Sequence, residues 1–161
     1  MKEVVLIPEE RVNVVKDKEV KEKIEKELDV KLVFYSNTIE IEGEGLNLFS
    51  AKTIVKAIGR GFSPQNAFKL LDENEQLEII DLKNLGEKKL KIIKARLIGT
   101  NGKTRKLIEK YSSCAISVYG KTVSIIGNYE QIQTAKEAVE MIIRGSKHTI
   151  VYRYLQEHRV L

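Results

Sequence analysis

Gly99-Thr100-Asn101-Gly102 is followed at once by Lys103, Thr104, Arg105 and Lys106. Two glycines separated by two residues allow a tight turn with no Cβ at either end, so a bulky anion can come close to the backbone. Leu90, Ile93 and Leu97 before the turn, and the polar–apolar run after it, have helical spacing, so the turn opens a helix. The free N–H groups and positive dipole end of such a helix favour phosphate oxygens. Three cations at positions 103, 105 and 106 concentrate positive charge at the same point. The chemistry of this run is the holding of a phosphate.

Other reactive residue types do not gather into a site. His148 and His158 have no metal-ligand spacing with the single Cys114, so no metal is expected. Cys114 occupies an inward position of a strand pattern and is expected in the core. The scattered acids form no paired-carboxylate arrangement, and neither catalysis nor a cofactor is expected. Tyr119 and Tyr129 near a strand turn admit either base stacking or plain packing. Gly59-Arg60-Gly61 reads as a helix C-cap with a glycine stop, leaving the role of Arg60 open.

The elements that position the loop come in duplicate. Sliding the chain by 84 positions lays Ile24-Glu25-Lys26 on Ile108-Glu109-Lys110, Tyr35 on Tyr119, and Thr38, Ile41 and Gly43 on Thr122, Ile125 and Gly127. Ala51-Lys52, Val55 and Arg60-Gly61 fall on Ala135-Lys136, Val139 and Arg144-Gly145. Each copy reads as a helix, a strand with alternating apolar positions (Val30, Leu32, Phe34; Cys114, Ile116, Val118), a turn at Ser36-Asn37 or Gly120-Lys121, a second strand and a long amphipathic helix. The turn residues suit a positive φ. Ser63-Pro64 starts a helix between the copies, and Leu77–Asp81 reads as a strand. In the tail, Ile150, Val151, Tyr154 and Leu155 form a stripe expected to dock, and Lys147, Arg153 and Arg159 on its other side suit either plain solvent or an extension of a nucleic-acid path.

Composition narrows the class. The chain of 161 residues is 42% hydrophobic and carries a formal net charge of +5, enough apolar material for a packed core. No apolar run approaches a membrane span, the polar start is no signal peptide, and one cysteine fits a reducing cytosol, so the cytoplasm is expected and a membrane is not. The charge is divided: residues 1–80 hold 12 Lys and Arg against 16 Asp and Glu, while residues 81–161 hold 16 against 7. A polyanion would meet the second half.

Ile98-Gly99-x-x-Gly102, the helix after it, Ala115-Ile116-Ser117-Val118 and Val123-Ser124-Ile125-Ile126-Gly127 together resemble the K-homology (KH) domain. In that family the GxxG loop clamps about four nucleotides of a single strand while bases lie in a groove between helix and strand. The resemblance implies an RNA grip by Gly99, Thr100, Asn101, Gly102, Lys103, Arg105 and Lys106. Ile98, Arg96, Ile116, Val118 and Lys121 would lie along the path. The first copy has Val15-Lys16-Asp17-Lys18 where the second has the loop, so it resembles a KH module that has lost its clamp.

Over nearly the whole length, the chain also resembles the archaeal counterpart of the partner-of-Nob-one (Dim) ribosome-assembly factors. The resemblance lies in a degenerate first module, the stretch Ala57-Ile58-Gly59-Arg60-Gly61-Phe62-Ser63-Pro64, an intact second module and a short basic tail. It implies binding near the 3′ end of precursor small-subunit rRNA and a Nob-type endonuclease as partner. The expected fold is α+β: two tandem type I KH modules, each a three-stranded sheet with helices on one face, packed as a rigid pair. The expected divisions are 1–62, a connecting helix at 63–75, the intact module at 76–146 and a basic helix at 147–161. The competing readings are a protein-interaction adaptor, a general RNA binder, and a nucleotide-binding enzyme. The last rests on Gly99–Thr104, which resembles the shortened phosphate loop of Mur-type ligases, but a standard P-loop has four residues between its glycines and this run has two.

Overall fold

The structure, a computed structural model, describes residues 1–160. The chain forms two compact units, one from Met1 to Glu73 and one from Asn74 onward. The first contains β1 (Lys2–Leu6), α1 (Glu9–Lys16), α2 (Lys18–Leu28), β2 (Lys31–Phe34), β3 (Thr38–Glu42), α3 (Gly45–Gly59) and the short α4 (Pro64–Ala67), which runs into a 3-10 turn at Phe68–Leu71. The second contains β4 (Gln76–Asp81), α5 (Glu87–Ile98), α6 (Lys103–Ser112), β5 (Ala115–Tyr119), β6 (Thr122–Gly127), α7 (Tyr129–Ile143) and α8 (His148–Glu157). Each unit has one antiparallel three-stranded sheet, in the order β1-β3-β2 or β4-β6-β5, with its helices packed on one face. The fold is α+β, and the two units share one architecture. No helix among the described residues is long and apolar enough to cross a membrane.

The residues that recur at a spacing of 84 are those the fold constrains most tightly. A Cβ on Gly43 would lie 2.6 Å from Val30 Cγ1, and one on its counterpart Gly127 would lie 2.7 Å from Cys114 Sγ, so a glycine follows β3 directly and another ends β6. Asp29 and Ser113 close α2 and α6 with φ of 50° and 64°. Gly61 and Gly145 close α3 and α7 with φ of 97° and 98°. Arg60 is accordingly the C-cap of α3, and Gly61 N donates to Ile58 O.

Glu25 and Glu109 do the same work in both modules. Glu25 Oε2 accepts from Leu32 N–H and Glu109 Oε2 from Ile116 N–H, each at 2.9 Å, tying the helix to the strand that follows it. Lys21 and Arg105 pair with these two carboxylates one helical turn earlier.

Three expectations need amendment. The first strand of the first module, β1, has no counterpart at a spacing of 84: Val4 pairs with Glu40 and Ile79 with Ser124, which sets the two first strands 75 residues apart. The difference is spread over a longer connection before α5, five residues against two, a longer helix, twelve residues against eight, and the loop that follows it. Gly120 takes a φ of 55° at its turn, whereas Asn37 has no positive φ. In α8 the buried residues are Val151 and Leu155; Tyr154 is half-buried and Ile150 is 45% exposed. Ser63 caps α4 by accepting from Asn66 N–H, and that helix packs against α3 of the first unit.

Candidate nucleic-acid interface

The loop between α5 and α6 is built on three left-handed backbones: Gly99 (φ 76°, ψ 173°), Asn101 (φ 55°, ψ 28°) and Gly102 (φ 75°, ψ 13°). The first of these lies in a region essentially reserved for glycine. A Cβ on Gly99 would overlap the Thr104 side chain and lie 2.8 Å from the Thr104 nitrogen. Asn tolerates the left-handed region that position 101 requires. Gly102 N–H donates to Gly99 O at 3.1 Å and Lys103 N–H to Thr100 O, folding the loop into a single 3-10 turn. Thr100 and Asn101 stand exposed at its tip. No side chain caps α6. The helix therefore begins with its dipole unopposed beside exposed Lys103 and Lys106, an arrangement suited to a phosphate.

The matching position in the first unit is closed. Val15 is fully buried, and Asp17 alone separates α1 from α2. The Asp17 carboxylate accepts from Val20 N–H at 3.4 Å, placing a fixed negative charge at the helix end that a phosphate would occupy in the second unit.

The candidate cations divide in two. Arg96 faces inward: its Nη1 donates to Ile142 O at 2.9 Å and its Nη2 to Ser146 O, so it closes the carbonyl end of α7. In the first unit Arg11 does the same, donating to Ile58 O at 2.8 Å and Phe62 O at 2.7 Å. Arg105 is held by Glu109 at 3.0 Å. Lys103, Lys106 and Lys121 have no ion pair among the described residues, and all three are exposed. On the groove side, Ile98 is 36% exposed and Val118 is half-buried, whereas Ile116 is buried in the core cluster. β5 is an edge strand whose Ile116 N–H is already taken by Glu109, so what it can offer a base is the rest of its backbone edge and not the Ile116 side chain.

Two residues beside the loop escaped the sequence reading. Tyr152 Oη lies 2.8 Å from Thr104 Oγ1, and His148 Nε2 lies 3.0 Å from Arg96 O. Their rings stack with centroids 5.8 Å apart. Their separation by four positions puts them on one face of α8, and that i,i+4 spacing was the available signal.

Comparison with known proteins bears on these geometries. The profile of the eukaryotic-type KH domain (KH-domain type I) matches residues 76–160. A KH domain-containing protein of Methanocaldococcus jannaschii is 42% identical over 98% of this chain and 74% of its own length. The crystal structure of Dim2p from Pyrococcus horikoshii superposes with a TM-score of 0.91 at 44% identity, covering 98% of this chain and 99% of that one. A P. horikoshii complex described as a/eIF2alpha-aDim2p-rRNA matches with the same TM-score and identity, covering 98% of this chain and 93% of that one.

Proposed function

The chain belongs to the archaeal KH-domain Dim family, and on that premise we propose that it is a ribosome-assembly factor that holds single-stranded RNA by the Gly99–Gly102 loop. The observation that carries this reading is the glycine-framed turn at the head of a helix with no side-chain cap, flanked by exposed Lys103 and Lys106. Thr100, Asn101 and the loop backbone follow the sugar-phosphate chain, and about four nucleotides run along the loop. Ile98, Val118, Lys121 and the edge of β5 line the path beyond it. Arg96 shapes the site from behind by holding the end of α7, and Arg105 holds Glu109 on the side of α6 that faces β5.

The proposed target is the 3′ region of precursor small-subunit rRNA. A relative's solved complex contains rRNA, which supports this choice. The same complex contains the a/eIF2alpha subunit, so protein contact belongs to the reading. The first unit, without a clamp, is the module left for it. Presentation of the RNA end to a Nob-type endonuclease completes the proposed role, with the protein acting in the cytoplasm and not itself as an enzyme.

Crosslinking in cells followed by sequencing of the bound RNA tests the target. Reads concentrated at the 3′ end of small-subunit rRNA are expected. Reads scattered over messages would replace this reading with that of a general RNA binder.

A further inference from the structure

Helix α6 has two flanks. At about 100° per residue, Arg105 and Glu109 point together toward β5, where Glu109 accepts from Ile116 N–H. Lys103, Lys106 and Leu107 lie on the opposite flank and, with Thr100, Asn101 and Thr104, form a groove closed on its far side by His148 and Tyr152 of α8. This groove shares the loop with the base-binding wall and is separated from that wall by the body of α6.

Its lining suits one kind of ligand. The rings of His148 and Tyr152 are nearly parallel, with an interplanar angle of 10°, and both are half-buried, so part of each remains open to a partner. Both rings are fixed in place, Tyr152 by Thr104 Oγ1 and His148 by the Arg96 carbonyl. A ring held in advance loses little freedom when a flat group stacks on it. Leu107 gives an apolar floor, Lys103 and Lys106 stand at the rim, and none of the eight lining residues is acidic. A flat aromatic group joined to a phosphate matches the platform, the floor and the rim together.

We propose that this groove is a second nucleotide subsite. A base stacks on the His148–Tyr152 pair while its phosphate meets Lys103 and Lys106. The strand held by the loop is thereby continued past it onto α8, so the footprint exceeds the loop-clamped stretch by one or two nucleotides. The proposal rests on the RNA-binding reading above and extends it to a surface on the other side of α6.

Photocrosslinking tests it. A single strand of about twelve nucleotides, copying the 3′ end of small-subunit rRNA, carries 4-thiouridine at one position at a time and is irradiated with the full chain. Trypsin then releases His148–Arg153 as one peptide and Tyr111–Lys121 as another, because each follows a lysine and ends on a basic residue. Crosslinks to His148–Arg153 are expected from nucleotides adjoining those that crosslink to Tyr111–Lys121. Tyr152→Leu should weaken binding of the long strand about tenfold, and Tyr152→Phe, which keeps the ring, should stay within about twofold of wild type. If Tyr152→Leu fails to fold, as its melting curve would reveal, His148→Leu takes its place.

Crosslinks confined to Tyr111–Lys121, or a folded ring-deleting variant that binds the long strand like wild type, would overturn the subsite. Failure of the underlying reading looks different. In that case Thr100→Asp combined with Asn101→Asp would leave every crosslink intact.

Discussion

Gly99 stands at φ 76°, ψ 173° with the Thr104 side chain against the place its Cβ would take, so both backbone and space demand glycine there. Gly102 has a left-handed backbone but open surroundings, the nearest atom to a Cβ being Lys106 Cε at 3.7 Å. The two glycines of the motif should therefore respond unequally. Gly99→Ala is expected to lower stability by about 3 kcal/mol, a reserved backbone region plus a clash. Gly102→Ala is expected to cost about 1 kcal/mol. Urea unfolding of both variants measures the difference, and equal losses would contradict the assignment of the clash to position 99. Glu25 and Glu109 can be compared in the same way. Replacing either by Ala leaves a strand N–H of Leu32 or Ile116 without its partner, with an expected loss of about 1–3 kcal/mol.

Among the elements, the two modules close their last helix by the same device, an arginine from the first helix donating to two carbonyls near that helix end. Arg96→Met should destabilise the second unit by about 2 kcal/mol yet leave RNA affinity within about twofold at a temperature where the variant is folded. A severe loss of affinity without loss of stability would return Arg96 to the RNA path. The arginine pair also shows where sequence reading stops. Residues confined by their immediate backbone, such as Gly43 and Gly127, keep the spacing of 84 and are legible by sliding the chain over itself. Arg11 and Arg96 are 85 apart although their carbonyl partners are 84 apart, because a long flexible side chain can reach one target from two neighbouring positions. Strand β1 was missed because the two modules differ by nine residues between first strand and loop. Tyr152 was missed because it meets Thr104 across 48 positions of chain, a contact that no local pattern encodes. The loop itself was legible because its glycines, cations and flanking helices are contiguous.

Across the whole molecule, charge and clamp sit in the same half. Residues 1–80 have four more acids than bases, residues 81–161 have nine more bases than acids, and the open loop lies in the basic part. Binding should accordingly weaken with salt. Lys103→Gln and Lys106→Gln should each reduce the log–log slope by about 0.7, the value for one phosphate contact on a single strand. Lys16→Gln and Lys18→Gln, beside the closed position of the first unit, should leave the slope unchanged. The loop is tested most directly by changing Thr100 and Asn101 together to Asp and titrating single-stranded RNA by fluorescence anisotropy, with a melting curve recorded in parallel. Both side chains are exposed at the tip, so the melting temperature should move little while affinity falls by about a hundredfold or more, since two carboxylates would face the phosphates. A double variant that binds RNA as tightly as wild type would contradict the account.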